Sequence, residues 1–380
     1  MSEAAWAGRR LHFIGIGGAG MSGLALVARA LGAEVSGSDR TESSYGERLR
    51  TAGIEPAIGH DAAHLPAGAE IVVSTAIAAD NPELRAARDA GAKVLHRGDL
   101  LAEVAALKRC VAIAGTHGKT TTASMAAHAL VELGLDPAYL IGGELRTTGT
   151  NAAWGSGELI VVEADESDRS FLKLAPEVGV ITNVELDHHS TYRSVLEIER
   201  AFEEFAARCG VVVDGRALQP DAVELSGGGS RFEVDGVTVE LSVPGRHNAM
   251  NALAALAALR EAGVATADAA PTFASFQGAR RRFERHGRTE RGAEVYDDYA
   301  HHPTEVEATL EAARTLHPRR LVACFQPHLY SRTRRLAREF GRALANADVV
   351  AVLDVYPARE RSEDYPGVSG WLVLGAARRR

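Results

Sequence analysis

Residues 110–134 read CVAIAGTHGKTTTASMAAHALVELG. A short apolar run ends at a loop with two glycines, and an alanine- and leucine-rich stretch with helical character follows. Strand, turn and helix in that order can close on phosphate groups. Gly115 and Gly118 let backbone N–H groups approach phosphate oxygens, Lys119 can reach the terminal phosphates, and the Thr120 hydroxyl can ligate Mg²⁺. The general signature of such loops has a glycine five positions before Gly118, where this chain has Ile113. A glycine turn with an incidental lysine is the plainer alternative. The strand before the loop and the threonine run after it favour a nucleoside triphosphate site.

About a hundred residues upstream stands a second glycine loop, HFIGIGGAGMSG, residues 12–23. Gly15, Gly17 and Gly20, with Gly18 between them, fit G-x-G-x-x-G after a strand-like run and before a helical one. Asp39 closes the next strand-like run, AEVSGSD, where a ribose-binding acid stands in a dinucleotide fold. Alone, this loop reads as an NAD site. Beside a loop carrying Lys119 it implies two phosphorylated ligands, and the first need not be a hydride carrier.

Outward from both loops the chain alternates strand-like and helical segments, so the fold class is α/β with doubly wound parallel sheets. The 380 residues suit two or three domains, and 46% hydrophobic with 24% charged residues suits globular cores. The formal net charge of −8 argues against a nucleic-acid surface. Three dispersed cysteines form no disulfide or zinc pattern, no stretch reaches membrane-span length, and the N-terminus lacks a signal-peptide core. A cytoplasmic protein without a membrane partner is expected. Residues 210–243, glycine-rich with alternating β-like runs, suggest an antiparallel insert.

Candidate chemistry collects at strand ends. Glu163 ends ELIVVE, followed by Asp165, Glu166 and Asp168; a solvated acidic turn is the alternative for these three. His188 and His189 follow ITNVELD. Asn248 and Asn251 in PGRHNAMNALAA share a helix face beside His247, and Asn248 could equally cap the helix. DDYAHHPTEV carries Asp297, Asp298, Tyr299, His301 and His302 ahead of Pro303, a residue suited to a first helical turn. FQPHLYSRT supplies His328 and Arg332; an arginine fork can hold a carboxylate, although an exposed arginine is commoner.

These motifs, with GSD, STAI, DNPE, RRF and DVYPARE, stand in the order of the Mur ligases, which the chain resembles from about residue 10 to 360. Mur ligases are ATP-dependent amide-forming enzymes of peptidoglycan synthesis, and so of cell-wall biogenesis, cell shape and cell division. The resemblance implies three domains: a Rossmann-like UDP-sugar domain over 1–108, a central ATPase of phosphate-loop type over 109–288, and a Rossmann-like amino-acid domain over 289–380. It implies UDP-N-acetylmuramate and L-alanine as substrates, with ATP and Mg²⁺. The UDP-sugar would lie on Gly15, Gly17, Gly18, Gly20, Asp39, Ser74 and Arg97, with His96 a further contact. ATP would lie on Gly115, Thr116, His117, Gly118, Lys119, Thr120, Thr121, His247, Asn251 and Arg282, with Arg281 beside it. Lys119, Glu163 and His188 would be catalytic, Thr120 and Glu163 holding one Mg²⁺ and His188 a second. Tyr299, His301 and Arg332 would take the amino acid. Residues 289–380 are short for the third domain, so an incomplete sheet with an exposed edge, and reduced stability, are expected. A nucleotide-binding remnant without turnover, a relative that adds a tripeptide, and an NAD-dependent oxidoreductase stay open as alternatives. Lys119 and the acids argue against the last.

Overall fold

The computed structural model describes residues 3–358 and 360–378; Arg359, inside DVYPARE, lies outside them. The first unit is a parallel sheet of β1 (Arg10–Ile14), β2 (Glu34–Asp39), β3 (Ala57–Ile58), β4 (Glu70–Val73) and β5 (Val94–His96), in the order β3-β2-β1-β4-β5. Its helices are α1 (Ala19–Ala30), α2 (Gly46–Thr51), α3 (Pro82–Asp89) and α4 (Arg97–Ala105). Consecutive parallel strands need crossovers, which cover the sheet with helices and bury strands such as β1 on both faces. Local signals set the helix starts. Pro82 opens α3, and the Asn81 side chain accepts from the N–H groups of Glu83 and Leu84. The two-residue β3 is too short to leave a sequence pattern. β1 lies between β2 and β4, so its carboxyl end is the switch point where the first glycine loop opens.

The second sheet contains β6 (Arg109–Ala114), β7 (Ala138–Leu145), β8 (Thr150–Ala153), β9 (Leu159–Glu163), β10 (Val178–Ile181) and β11 (Val211–Asp214), ordered β11-β10-β6-β9-β7-β8. All its pairings are parallel except β7 with β8. Helices α5 (Lys119–Glu132), α6 (Val195–Ala206), α7 (Arg246–Glu261) and α8 (Thr266–Ala269) belong to this unit. Residues 120–130 of α5 are all buried, because α5 lies between the sheet and α7. That position explains its alanine, serine and threonine composition, where a surface helix would show a polar face. The expected antiparallel insert is β12 (Asp221–Ser226), β13 (Gly229–Val234) and β14 (Val237–Leu241).

The third unit begins with a hairpin of β15 (Glu284–Arg288) and β16 (Glu294–Asp297), so a boundary at 288/289 falls inside it. A parallel pair, β17 (Val322–Phe325) and β18 (Val349–Val352), carries α9 (Pro303–Arg314), α10 (Tyr330–Leu344) and α11 (Gly370–Ala377). Its core is Val306, Leu310, Phe325, Phe340, Leu344 and Val373. Val322 on β17 is 57% exposed. The first two units share one core across α1 and β7–β8. Among the described residues no helix is long and apolar enough to cross a membrane.

Candidate functional site

β6 runs between β9 and β10, so the loop after it faces the ends of both neighbours. Gly115 has φ +142°, and a Cβ there would overlap the Thr182 hydroxyl just beyond β10. Gly118 has φ +79° and precedes α5; a Cβ there would stand 2.5 Å from Asn251 Oδ1. Only glycine fits both the backbone conformation and the contact. The Lys119 ammonium donates to the carbonyls of Gly115 (2.6 Å) and Thr116 (3.0 Å) and pairs with Glu166 at 2.9 Å. Burial alone would lower its pKa; the carboxylates of Glu166, Glu163 and Asp165 outweigh this and raise it. Lys119 therefore stays a cation at the start of a helix, where a phosphate chain would lie.

The Thr120 hydroxyl donates to Glu163 Oε1 at 3.1 Å, and the Gly142 N–H donates to Glu163 Oε2 at 2.7 Å. Two hard oxygens thus converge beside the loop, a donor set that fits Mg²⁺. His188 does not join that pair. Its Nε2 lies 3.2 Å from Glu166 Oε1 and 3.7 Å from Asp187 Oδ2. The acids after Glu163 are no solvated turn. Glu166 is fully buried between Lys119 and His188, and Asp168 binds Arg97 at 2.9 Å.

A cavity of about 340 Å³ opens from the loop between the second and third units. His117, Gly118, Thr121, His247, Asn251 and Arg282 all line it, with Asn248, Asp298 and Glu305. Asn248 does not cap α7: Gly245 does, and the Asn248 amide donates to the Pro244 carbonyl at 2.7 Å. Burial holds His247 neutral, its pKa lowered to about 4. Arg282 donates to the Thr120 hydroxyl at 3.3 Å, while Arg281 stacks on Tyr299 with 4.5 Å from guanidinium carbon to ring centre. Arg282 is the arginine of RRF that meets the phosphate loop.

The amino-acid candidates also converge. His301 Nδ1 lies 2.9 Å from the Tyr299 carbonyl, His301 packs edge-on to His328, and Arg332 Nη1 lies 3.2 Å from His328 Nδ1. The Arg332 fork is already engaged: Nε and Nη2 donate to the two oxygens of Asp187 at 3.1 and 2.8 Å. This pair ties the third unit to the second. In the first unit, Asp39 accepts from the Gly17 N–H at 2.8 Å, and so shapes the loop expected to hold the pyrophosphate. Ser74 sits just beyond β4 and accepts from the Ala76 N–H at 3.4 Å. Arg97 reaches across to Asp165 and Asp168, and His96 caps α4. A Cβ on Gly20 would stand 3.3 Å from Arg97 Nη1, so this arginine borders the first loop as well.

The sequence reading gave no role to Glu185, Asp187 or Glu305. Glu305 accepts from the N–H groups of His301 and His302 and meets His117 Nδ1 at 3.2 Å. The signal was present, since a glutamate three residues into a helix is half of a capping box, but the capping residue is a histidine. His117 sits between Glu305 and Glu185. Burial alone would lower its pKa; the two carboxylates outweigh this and raise it to about 9.

Fold and site together define a protein of three α/β units with a glycine loop and a lysine at the start of a helix in the second. Residues 10–109 match the Mur ligase family, catalytic domain; residues 113–215 match the Mur ligase middle domain; residues 281–373 match the Mur ligase, glutamate ligase domain. The chain belongs to the Mur ligase family. Within it, the chain is 48% identical to the UDP-N-acetylmuramate–L-alanine ligase of Streptomyces coelicolor, over 97% of this chain and 87% of that protein. It is 46% identical to the ligase of the same name from Rubrobacter xylanophilus, over 97% and 88%. The crystal structure of UDP-N-acetylmuramate-alanine ligase from Thermotoga maritima superposes with a TM-score of 0.84 at 29% identity, over 97% of this chain and 88% of that one. A murein peptide ligase from Psychrobacter arcticus gives 0.71 at 26% identity, over 98% and 89%.

Proposed function

We propose that this protein joins L-alanine to UDP-N-acetylmuramate in the cytoplasm, converting ATP to ADP and phosphate, as a step of peptidoglycan synthesis that cell division depends on. The observation that carries this is a cavity lined by Gly118, Arg282, His247 and Asn251, with Lys119 next to Gly118 in the chain and Arg282 donating to the hydroxyl of the Thr120–Glu163 pair. The names of the relatives assign the alanine-adding reaction rather than tripeptide addition.

The reaction transfers the terminal phosphoryl group of ATP to the lactyl carboxylate, giving ADP and an acyl phosphate. The alanine amine then attacks the acyl carbon, and phosphate leaves as the amide forms. Negative charge dominates both steps, so fixed cations and backbone donors supply most of the catalysis. Lys119 stands at the phosphate loop with its charge secured by Glu166. Arg282 adds a second cation. Gly115 and Gly118 let the backbone close on the phosphates, and His247 and Asn251 face the rest of the nucleotide. Mg²⁺ held by Thr120 and Glu163 would neutralise phosphate charge, and His188 would serve a second ion after leaving Glu166. Arg97 and the Gly15–Gly20 loop would hold the UDP-sugar, with Tyr299, His301 and Arg332 on the amino-acid side.

The test is phosphate release by the purified chain with Mg-ATP, with and without UDP-N-acetylmuramate and L-alanine. Release is expected only with both co-substrates, and Lys119→Ala should lower it about 10²–10³-fold, the loss typical when one charge-stabilising donor is removed. No release with all three substrates present, or release indifferent to the amino acid, would overturn the assignment.

A further inference from the structure

The structure assigns a second kind of metal site to this chain: His117, Glu185 and His302 form a three-ligand site for a transition-metal ion of the Zn²⁺ class, clamping the third domain onto the second. It is separate from the oxygen pair of Thr120 and Glu163. One ligand atom from each of the three residues lies within 4.8 Å of the other two.

The geometry is that of a preformed donor set. His117 Nε2 lies 3.4 Å and His302 Nδ1 lies 3.7 Å from the same oxygen, Glu185 Oε2. Bonds of roughly 2.0–2.1 Å at tetrahedral angles place neighbouring ligand atoms about 3.4 Å apart, so small side-chain shifts close the site. The two histidines are 8% and 6% exposed, yet both of these ring nitrogens are buried without a hydrogen-bond partner. Buried polar atoms are normally satisfied, and two ring nitrogens that face one carboxylate oxygen without a well-formed hydrogen bond make a pocket where a metal ion can replace the proton His117 holds between Glu185 and Glu305. The rings lie face to face at a tilt, 4.5 Å between centres.

The surroundings fit a ligand role. His117 Nδ1 lies 3.2 Å from Glu305 Oε1, the outer carboxylate that fixes a metal-binding imidazole with its Nε2 lone pair toward the ion. The Thr304 hydroxyl donates to Glu185 Oε2 at 2.7 Å and orients the carboxylate in the same way. Two imidazoles and one carboxylate select a borderline ion such as Zn²⁺ over Mg²⁺, which prefers oxygen. His117 and Glu185 come from loops after β6 and β10, while His302 immediately precedes α9. The ion therefore binds both domains, beside the cavity that His117 and Glu185 line.

The test reads binding, not turnover, so it stands apart from the ligase assignment. Metal-stripped protein in excess Mg²⁺ is titrated with Zn²⁺ alone and followed by calorimetry and by metal content after desalting. One Zn²⁺ per chain is expected, weakened at least ~100-fold in Glu185→Gln and in His302→Gln and about 10–100-fold in Glu305→Gln, the loss typical of an outer-shell partner. Circular dichroism checks that each variant folds. If the variants misfold, Co²⁺ added to the wild-type protein decides: an intense visible band of tetrahedral nitrogen–oxygen ligation upholds the site, and its absence overturns it. Wild-type protein that takes up no Zn²⁺ in excess Mg²⁺, or folded variants that bind it as tightly, would also overturn the proposal, leaving a proton between His117 and its carboxylates.

Discussion

Arg332→Met separates bracing from substrate binding at the contact between the second and third domains. The native guanidinium donates to both oxygens of Asp187 at 3.1 and 2.8 Å, and both side chains are only 4% exposed. Removing the arginine leaves a buried carboxylate whose nearest remaining cation is His188, 3.7 Å away. An orphaned buried charge costs roughly 3–5 kcal/mol. With His188 giving partial compensation, a loss of about 3 kcal/mol at neutral pH is expected. Burial alone would raise the Asp187 pKa; Arg332 and His188 outweigh this and hold it well below the usual carboxylate range. A carboxyl depressed in the folded state stabilises above its unfolded pKa of about 3.9, and that stability is lost as pH falls through the folded value. In the variant the carboxyl instead titrates upward, so the deficit should shrink as pH is lowered toward about 4. Hydrogen exchange of α9 and α10, with denaturant melts, measures the loss. Asp187→Leu combined with Arg332→Met should recover most of it, because no charge remains buried. The alanine KM of that double variant separates the roles: a normal value means Arg332 only braces, and a raised value with restored stability means it also holds the substrate carboxylate. Arg332→Met within about 1 kcal/mol of wild type, or a double variant no more stable than the single one, would refute the reasoning.

Two further outcomes are expected away from that contact. Glu83 is fully buried in the first domain, facing His12 at 2.8 Å, the Ser38 hydroxyl at 2.7 Å and His60 at 3.0 Å. Burial alone would raise its pKa; these partners outweigh it and lower the value from 4.5 to about 2. The difference corresponds to up to about 3 kcal/mol, fully present above the unfolded glutamate's pKa of roughly 4.3 and lost as pH falls through the folded value. Glu83→Gln should remove most of it at pH 7 and little near the acid limit; parallel melts that do not converge on acidification would contradict this. Gly115→Ala introduces a Cβ into the Thr182 hydroxyl at a φ of +142°. The loop cannot keep its closed form, so calorimetry should show ATP affinity down at least ~100-fold with the domain still folded; unchanged affinity would mean the loop does not hold the phosphates.

Much of the candidate site's geometry was legible because a strand–glycine loop–helix unit is local. Gly115, Gly118, Lys119 and Thr120 lie within six residues, and strand, turn and helix are fixed by neighbours in sequence. Glu163 was legible for a related reason: an acid at the end of an apolar strand lands at the carboxyl edge of a parallel sheet, where sites collect. The doubly wound architecture followed from alternating segments, and the antiparallel insert from its alternating runs.

What the sequence could not give was pairing between distant residues. Asp187 and Arg332 are 145 positions apart, His117 and Glu305 are 188 apart, and Arg97 meets Asp165 across 68. None of these separations leaves a periodic trace. A solvated turn stayed open as the alternative for the acids after Glu163 because burial is a property of the packed chain, and only the fold places Glu166 between Lys119 and His188. By itself the sequence determined the family, the order of the three domains and the position of the two glycine loops, since backbone conformation and short spacing decide those. Only the tertiary structure decided which carboxylate each cation meets, because a charge in a low-dielectric interior takes whichever partner the converging domains bring within reach.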